Sequence, residues 1–262
     1  QVEMYENGDV DYLVATDAIG MGLNLQIQHV GFASLRKFDG NSQRNLTNPE
    51  IAQIAGRAGR FLSDGTFGLT DYATEMSEQT IDAVENSKFD QIKHIYWRNS
   101  NLDFSSIENL IKSLEIMPSE PYLIRKNDAE DFRHLLHLSE SKGINQLAKS
   151  QDEIKLLWEV SQVPEFNKQL TNDHVILLSK IFEQLILKGR LNNDFISNHI
   201  YRIDKVSKDI DTLMQRIASI RTWTYLSHKH NWLEDTINWQ ETSLTIEDKL
   251  SDALNIELTN RF

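Results

Sequence analysis

Val14-Ala-Thr-Asp-Ala-Ile-Gly-Met-Gly-Leu-Asn-Leu25 is the stretch whose reading decides the fold. Tyr12 to Ala15 is an apolar run bounded by polar residues, the pattern of a strand buried on both faces. Thr16 to Asn24 follow its carboxyl end, where open α/β sheets bind ligands. Gly20 and Gly22 permit the turn and Asp17 braces it. Thr16 offers a hydroxyl beside exposed backbone amides to a phosphodiester, and Asn24 can reach a ribose hydroxyl. A plainer reading makes Asp17 a helix cap and the glycines ordinary turn residues.

Downstream stands a second run, Gln53-Ile-Ala-Gly-Arg-Ala-Gly-Arg60, which joins a helix end to a turn. Arg57 and Arg60 are three residues apart and project the same way from a helix end. Two guanidinium forks can meet the charge that spreads over a transferring γ-phosphoryl group, a contribution on the order of 10³–10⁵ in rate when supplied in trans. Gly56 and Gly59 keep the backbone thin enough for a neighbouring lobe to approach. Gln53, one turn earlier, can bond the γ-phosphate or the attacking water. Solvated arginines on a glycine-rich helix end are the bland alternative, and the upstream loop argues against it.

Between and around these runs the pattern is α/β. Residues 1–9 read as the tail of a helix stopped at Asn7-Gly8. His29 to Leu35 reads as a strand, and Asp64 to Thr70 as the last one. Arg36 to Asn45 is polar, with Asp39-Gly40 as a turn signal flanked by basic residues. Thr47-Asn-Pro-Glu50 starts a helix, with a hydroxyl cap, proline in the first turn and glutamate three residues on.

After about residue 77 glycine nearly vanishes and helical periodicity takes over. Stripes run through Ile107, Leu110, Ile111 and Leu114, through Phe132, Leu135, Leu136 and Leu138, through Ile154, Leu157 and Trp158, and through Val175, Leu178, Phe182 and Leu185. Ile203, Val206, Ile210, Leu213, Ile217 and Ile220 predict one helix of roughly seven turns. Ile246, Leu250, Leu254 and Leu258 predict a last helix over about 242–260. Pro118 and Pro121 bracket a linker.

The chain has 262 residues, 40% hydrophobic and 25% charged, the composition of a globular protein with a sizeable core. No run of eighteen apolar residues suggests a membrane span. Its lack of cysteine rules out disulfides and suits a reducing compartment; the expected location is a bacterial cytoplasm, with the mitochondrial matrix as alternative. The net charge is −12 and the acidity is spread along the chain, so nucleic acid would have to be held by local basic patches. The sequence contains neither a G-x-x-x-x-G-K-[ST] phosphate loop nor a D-E-x-x box. A nucleotide machine built on the two runs would have its other half upstream, and the chain reads as a fragment.

The first run resembles motif V, and Gln53 to Arg60 motif VI, of superfamily-two helicases. The wording of both is most similar to the mitochondrial degradosome RNA helicases (the suppressor-of-Var group) and their bacterial relatives. Asp64-Gly-Thr-Phe-Gly, Trp158-Glu-Val-Ser-Gln-Val-Pro164, Ile220-Arg-Thr-Trp-Thr224 and Leu250-Ser-Asp-Ala-Leu254 resemble that group too. The resemblance implies a partial α/β RecA-like lobe over 1–75, an all-α helical region over 76–230 and a small C-terminal helical domain over 231–262. It implies ATP as substrate with Mg2+, both held mainly by an absent first lobe, and Arg57, Arg60 and Gln53 acting at the γ-phosphate. Gly20, Gly22, Asn24 and Asp17 would form the nucleotide-side loop, and Thr16, Arg36 and Lys37 would meet RNA. Asn24 stands where DEAD-box proteins carry aspartate, a departure that fits the degradosome group. Relatives place a strand-parting hairpin where Arg36 to Asn45 lies; a plain loop is the alternative. An exoribonuclease partner and a role in RNA degradation are implied likewise.

The helical remainder offers no catalytic constellation. His134 and His137, three apart, read as a solvated helix face rather than a metal pair. Arg202, Lys205, Lys208, Arg216 and Arg221 can line an RNA channel, but Asp204, Asp209 and Asp211 interleave with them. Trp223, Trp232 and Trp239 read as core ahead of base-stacking platforms. Two competing functions remain: a non-enzymatic helical adaptor or RNA-binding module keeping a degenerate RecA-like lobe, and a DNA translocase.

Overall fold

The computed structural model describes residues 2–21, 27–39, 42–60, 63–71, 73, 75–167 and 172–261, apart from the side chains of Arg60, Ser63 and Arg261. The chain divides into two compact units, Gln1–Ile92 and Lys93–Phe262. Among the described residues no helix is long and apolar enough to cross a membrane.

The first unit runs α1 (Val2–Glu6), a 3-10 turn at Asp17–Gly20, β1 (His29–Phe32), β2 (Arg36–Phe38), β3 (Gln43–Asn45), α2 (Asn48–Ala55), β4 (Gly59–Arg60), β5 (Ser63–Asp64), β6 (Thr66–Leu69) and α3 (Glu78–Glu85). α1 stops where Gly8 adopts a φ of +79°, as the Asn7-Gly8 signal predicts. β1 and β6 pair in parallel, His29 opposite Thr66 and Phe32 opposite Leu69. Across one face lies α2, which buries Ile51, Ile54 and Ala55 with Phe32 of β1 and Val84 of α3. α3 packs on α2.

The predicted strand Tyr12–Ala15 is not a strand. Residues 12–16 make no ladder bond among the described residues, and Tyr12 and Val14 are 78% and 85% exposed. An apolar run becomes a strand only where neighbours take its N–H and C=O groups. The parallel pair β1–β6 offers it no such partner.

The second unit runs β7 (Ile95–Trp97), α4 (Ile107–Glu115), β8 (Leu123–Arg125), α5 (Glu130–Ser139), α6 (Lys142–Leu147), α7 (Gln151–Ser161), α8 (Asn172–Lys188), α9 (Asn193–Ile203), α10 (Ile210–Ser227) and α11 (Thr236–Arg261). The predicted stripes supply its core: Leu110, Leu135, Leu157, Leu178, Phe182, Leu213 and Ile220 are fully buried. Three carbonyls at or just beyond the end of α7 are taken by side chains from three other helices. His134 Nδ1–H of α5 donates to Ser161 O at 3.0 Å, His174 Nε2–H of α8 to Val163 O at 3.1 Å, and Thr222 of α10 to Pro164 O at 3.1 Å. Polar groups buried at a helix end need such partners.

Three expectations are corrected here. The single long helix predicted through Ile203 to Ile220 is two helices, because Asp209 caps α10 by accepting the Thr212 N–H at 2.8 Å. Val206, in the intervening stretch, is exposed. His134 is not on a solvated face: it is buried, with its ring 4.8 Å from that of His174, while His137 is exposed. The helical region also holds one parallel strand pair, β7–β8, which periodicity did not reveal.

Candidate nucleotide and nucleic-acid site

The two signature runs meet in the first unit. Gly20 closes the 3-10 turn within the first run. A Cβ there would lie 3.3 Å from Ile54 Cγ1 and 3.5 Å from Gln53 Cγ, so a side chain would press on α2. From just beyond α2, Arg57 reaches back and donates to the Gly20 carbonyl through Nε at 3.0 Å and also through Nη2. Gln53, Arg57 and Gly20 therefore form one junction. Its turn is fixed to the sheet by the Gly59 N–H donating to Ile27 O at 2.8 Å and by the parallel bridge Ile27–Ala58. Gly59 itself has a φ of +77°, a conformation that L side chains rarely adopt. Gly65 faces it so closely that a Cβ would overlap the Ala58 carbonyl carbon and the Gly59 nitrogen.

A second grouping surrounds a cavity of about 730 Å3 in the same unit, lined by Thr16, Asp17, Arg36 and Lys37 among others. Thr16 caps its own turn by accepting the Ala18 N–H at 3.4 Å, and its hydroxyl can still donate outward. β2 and β3 form an antiparallel hairpin, Lys37 opposite Arg44, so the polar segment is a hairpin and not a plain loop. Its base is tied down by Glu50. That carboxylate accepts two parallel bonds from Arg44 at 2.8 and 2.9 Å, the Lys37 ammonium at 2.8 Å and the Thr47 N–H at 2.8 Å. Arg44, then Lys37 and Thr47, hold the Glu50 carboxyl far below the usual carboxylate range against the opposing effect of burial. Lys37 also pairs with Asp17 at 3.0 Å, which links hairpin, α2 and the 3-10 turn. Glu50 and Asp17 raise the pKa of its ammonium.

Of the candidate residues, Gly20, Gln53 and Arg57 thus gather at the junction, and Thr16, Asp17, Arg36 and Lys37 at the cavity. Gly22, Asn24 and the side chain of Arg60 lie outside the described residues. Sequence reasoning missed the role of Arg44 and Gly65. The capping box announced Glu50, but nothing in the spacing said that an arginine six residues earlier would chelate it. Among the described residues no group of three or more His, Asp or Glu side chains is gathered as a metal site.

Residues 1–62 match the helicase conserved C-terminal domain, which names the class of the first unit. Similarity extends further: the mitochondrial ATP-dependent RNA helicase SUV3 of Candida albicans is 25% identical over all of this chain and 40% of its own length. The mitochondrial ATP-dependent RNA helicase DExH16 of Arabidopsis thaliana is 59% identical over 63 residues, 24% of this chain and 11% of the relative. The antiviral helicase SKI2 of Saccharomyces cerevisiae is 32% identical over 55% of the chain and 11% of its own length. The chain spans no more than two fifths of these relatives. The chain thus carries a helicase C-terminal domain match over an α/β part that is followed by a mostly helical one, and along its whole length it is similar to a suppressor-of-Var-type helicase.

Proposed function

We propose that this chain is the C-terminal part of an ATP-dependent RNA helicase, coupling ATP hydrolysis to movement along RNA and serving RNA degradation. The observation that carries the reading is the Arg57–Gly20 contact, because it joins the run suited to a triphosphate to the run suited to a phosphodiester. A change at one is felt at the other through a single guanidinium. Gln53, Arg57 and Arg60 meet the γ-phosphate from this side. Gly20, Gly22, Asn24 and Asp17 shape the loop facing the nucleotide, and Thr16, Arg36 and Lys37 grip the strand. The planar fork of Arg57, which grips the Gly20 carbonyl, is a group of the kind that recognises phosphate.

Mg2+, which shields phosphate charge when bound, would be held mainly by a first lobe carrying the Walker motifs, and this polypeptide alone would hydrolyse no ATP. The β2–β3 hairpin would help part strands. The three-part division at about residues 75 and 230, the exoribonuclease partner and the mitochondrial matrix as location belong to the same proposal. The location is supported by relatives whose names are mitochondrial, and it displaces the bacterial cytoplasm as first choice. In the full-length protein Arg60→Ala is expected to lower RNA-stimulated ATP hydrolysis by about 10³ or more while leaving the melting temperature unchanged. Unchanged turnover would favour the helical adaptor.

A further inference from the structure

In the helical unit, α8, α9 and α10 enclose a cavity of about 590 Å3, within the roughly 300–1,000 Å3 range of sites for small organic ligands. Lys180 of α8 and Arg202 of α9 both line it, with His199 one helical turn from Arg202. Among the described residues neither cation has an ion pair or a side-chain hydrogen bond. Some other cations of the region are paired: Arg221 with Glu247 and Lys249 with Asp204, each at 2.7 Å. Arg216 donates to the Lys205 carbonyl. The His199 ring is fixed, 4.4 Å from Phe195 and 5.2 Å from Trp223, with Nδ1–H donating to Phe195 O at 2.8 Å. Its Nε2 is then the ring atom left for a ligand.

The wall is not uniformly basic. Asp173 and Glu183 line the cavity system as well, and the exposed ring of Phe166 stands in the lining. A simple polyanion would be repelled by part of such a wall. A ligand suited to all of it carries an anion, hydroxyl donors and a flat ring together. A ribonucleotide within a strand has these: a phosphodiester for Lys180 and Arg202, a 2′-hydroxyl for the Asp173 carboxylate, and a base to lie on Phe166.

We propose that this cavity is a second RNA-contact site, which takes about one nucleotide of a single strand. The assignment of RNA, rather than another anion with hydroxyls, rests on the helicase reading above. The test is fluorescence anisotropy with a labelled single-stranded RNA 12-mer, the DNA of the same sequence and a glutamate 12-mer, titrated into the full 262-residue chain. The double variant K180A/R202A is expected to bind RNA on the order of tenfold more weakly, with a salt slope shallower by about 1.4. Phe166→Ala is expected to weaken binding by about fivefold or more, and Asp173→Ala, which removes the acceptor, to erase the preference for RNA over DNA. The control K112A/K155A, exposed cations elsewhere, keeps wild-type affinity, and circular dichroism checks that each variant folds. RNA binding by K180A/R202A equal to wild type overturns the site, as does a wild-type chain that binds no RNA or prefers the glutamate peptide. Neither result touches the helicase reading, which falls separately if the full-length wild type shows no RNA-stimulated ATP hydrolysis.

Discussion

Arg57 shows why an arginine and not a lysine stands in the second run. Its planar fork gives both Nε and Nη2 to one carbonyl, the Gly20 oxygen. Lysine cannot divide itself in that way. Arg57→Lys in the full-length protein is therefore expected to lower RNA-stimulated ATP turnover by about 10² or more, with a smaller change in ATP KM, measured by steady-state kinetics. Gly65 offers a contrast with Gly189. A Cβ at Gly65 would strike backbone and force β4 from β5, so Gly65→Ala is expected to cost about 3 kcal/mol in a denaturant melt. Gly189 has a φ of +73° in open space, and Gly189→Ala is expected to cost only about 1–2 kcal/mol.

Among the elements, the hairpin and the helix ends differ in their response to acid. Glu50 holds β2–β3 to α2, and its depressed pKa means that the stabilisation is complete above the unfolded value of about 4.3. It is lost only as the pH falls below that, through the folded value. His174 behaves otherwise. Burial first, then the charge of His134, push its pKa below 6.5, so the unfolded chain binds the extra proton as the pH drops under that value. Stability of the helical unit is thus expected to decline from about pH 6.5 downward, a window in which the hairpin is unaffected. Hydrogen exchange at pH 5.5 against pH 7.5, normalised to the intrinsic exchange rate at each pH, should show lower protection factors around α7 and α8 and unchanged ones in β2–β3. His174→Gln, which keeps a donor for the Val163 carbonyl, should flatten that dependence.

At the scale of the whole molecule, each unit closes its own core: Phe32, Ile51 and Ile54 in one, Leu157, Phe182 and Leu213 in the other. Residues 93–262 expressed alone are therefore expected to give a cooperative, helical thermal melt by circular dichroism. A broad transition without cooperativity would show that the unit borrows its packing.

Much of this was legible beforehand. Local rules fixed the Gly8 stop, the Thr47–Glu50 helix start and the buried faces of α4, α5, α7 and α8, since a cap or a 3.6-residue stripe depends on near neighbours. The pairing of glycine loop with arginine run was equally visible, as a matter of residue type and order. What the sequence alone could not say was which partners lie across space. Whether Tyr12–Ala15 ladders, whether Asp209 breaks a perfect stripe, which arginine claims Glu50 and which cations stay unpaired beside a cavity are decided by contacts distant in the chain. Periodicity records which face of an element is apolar; only the folded chain supplies what that face, or that charge, meets.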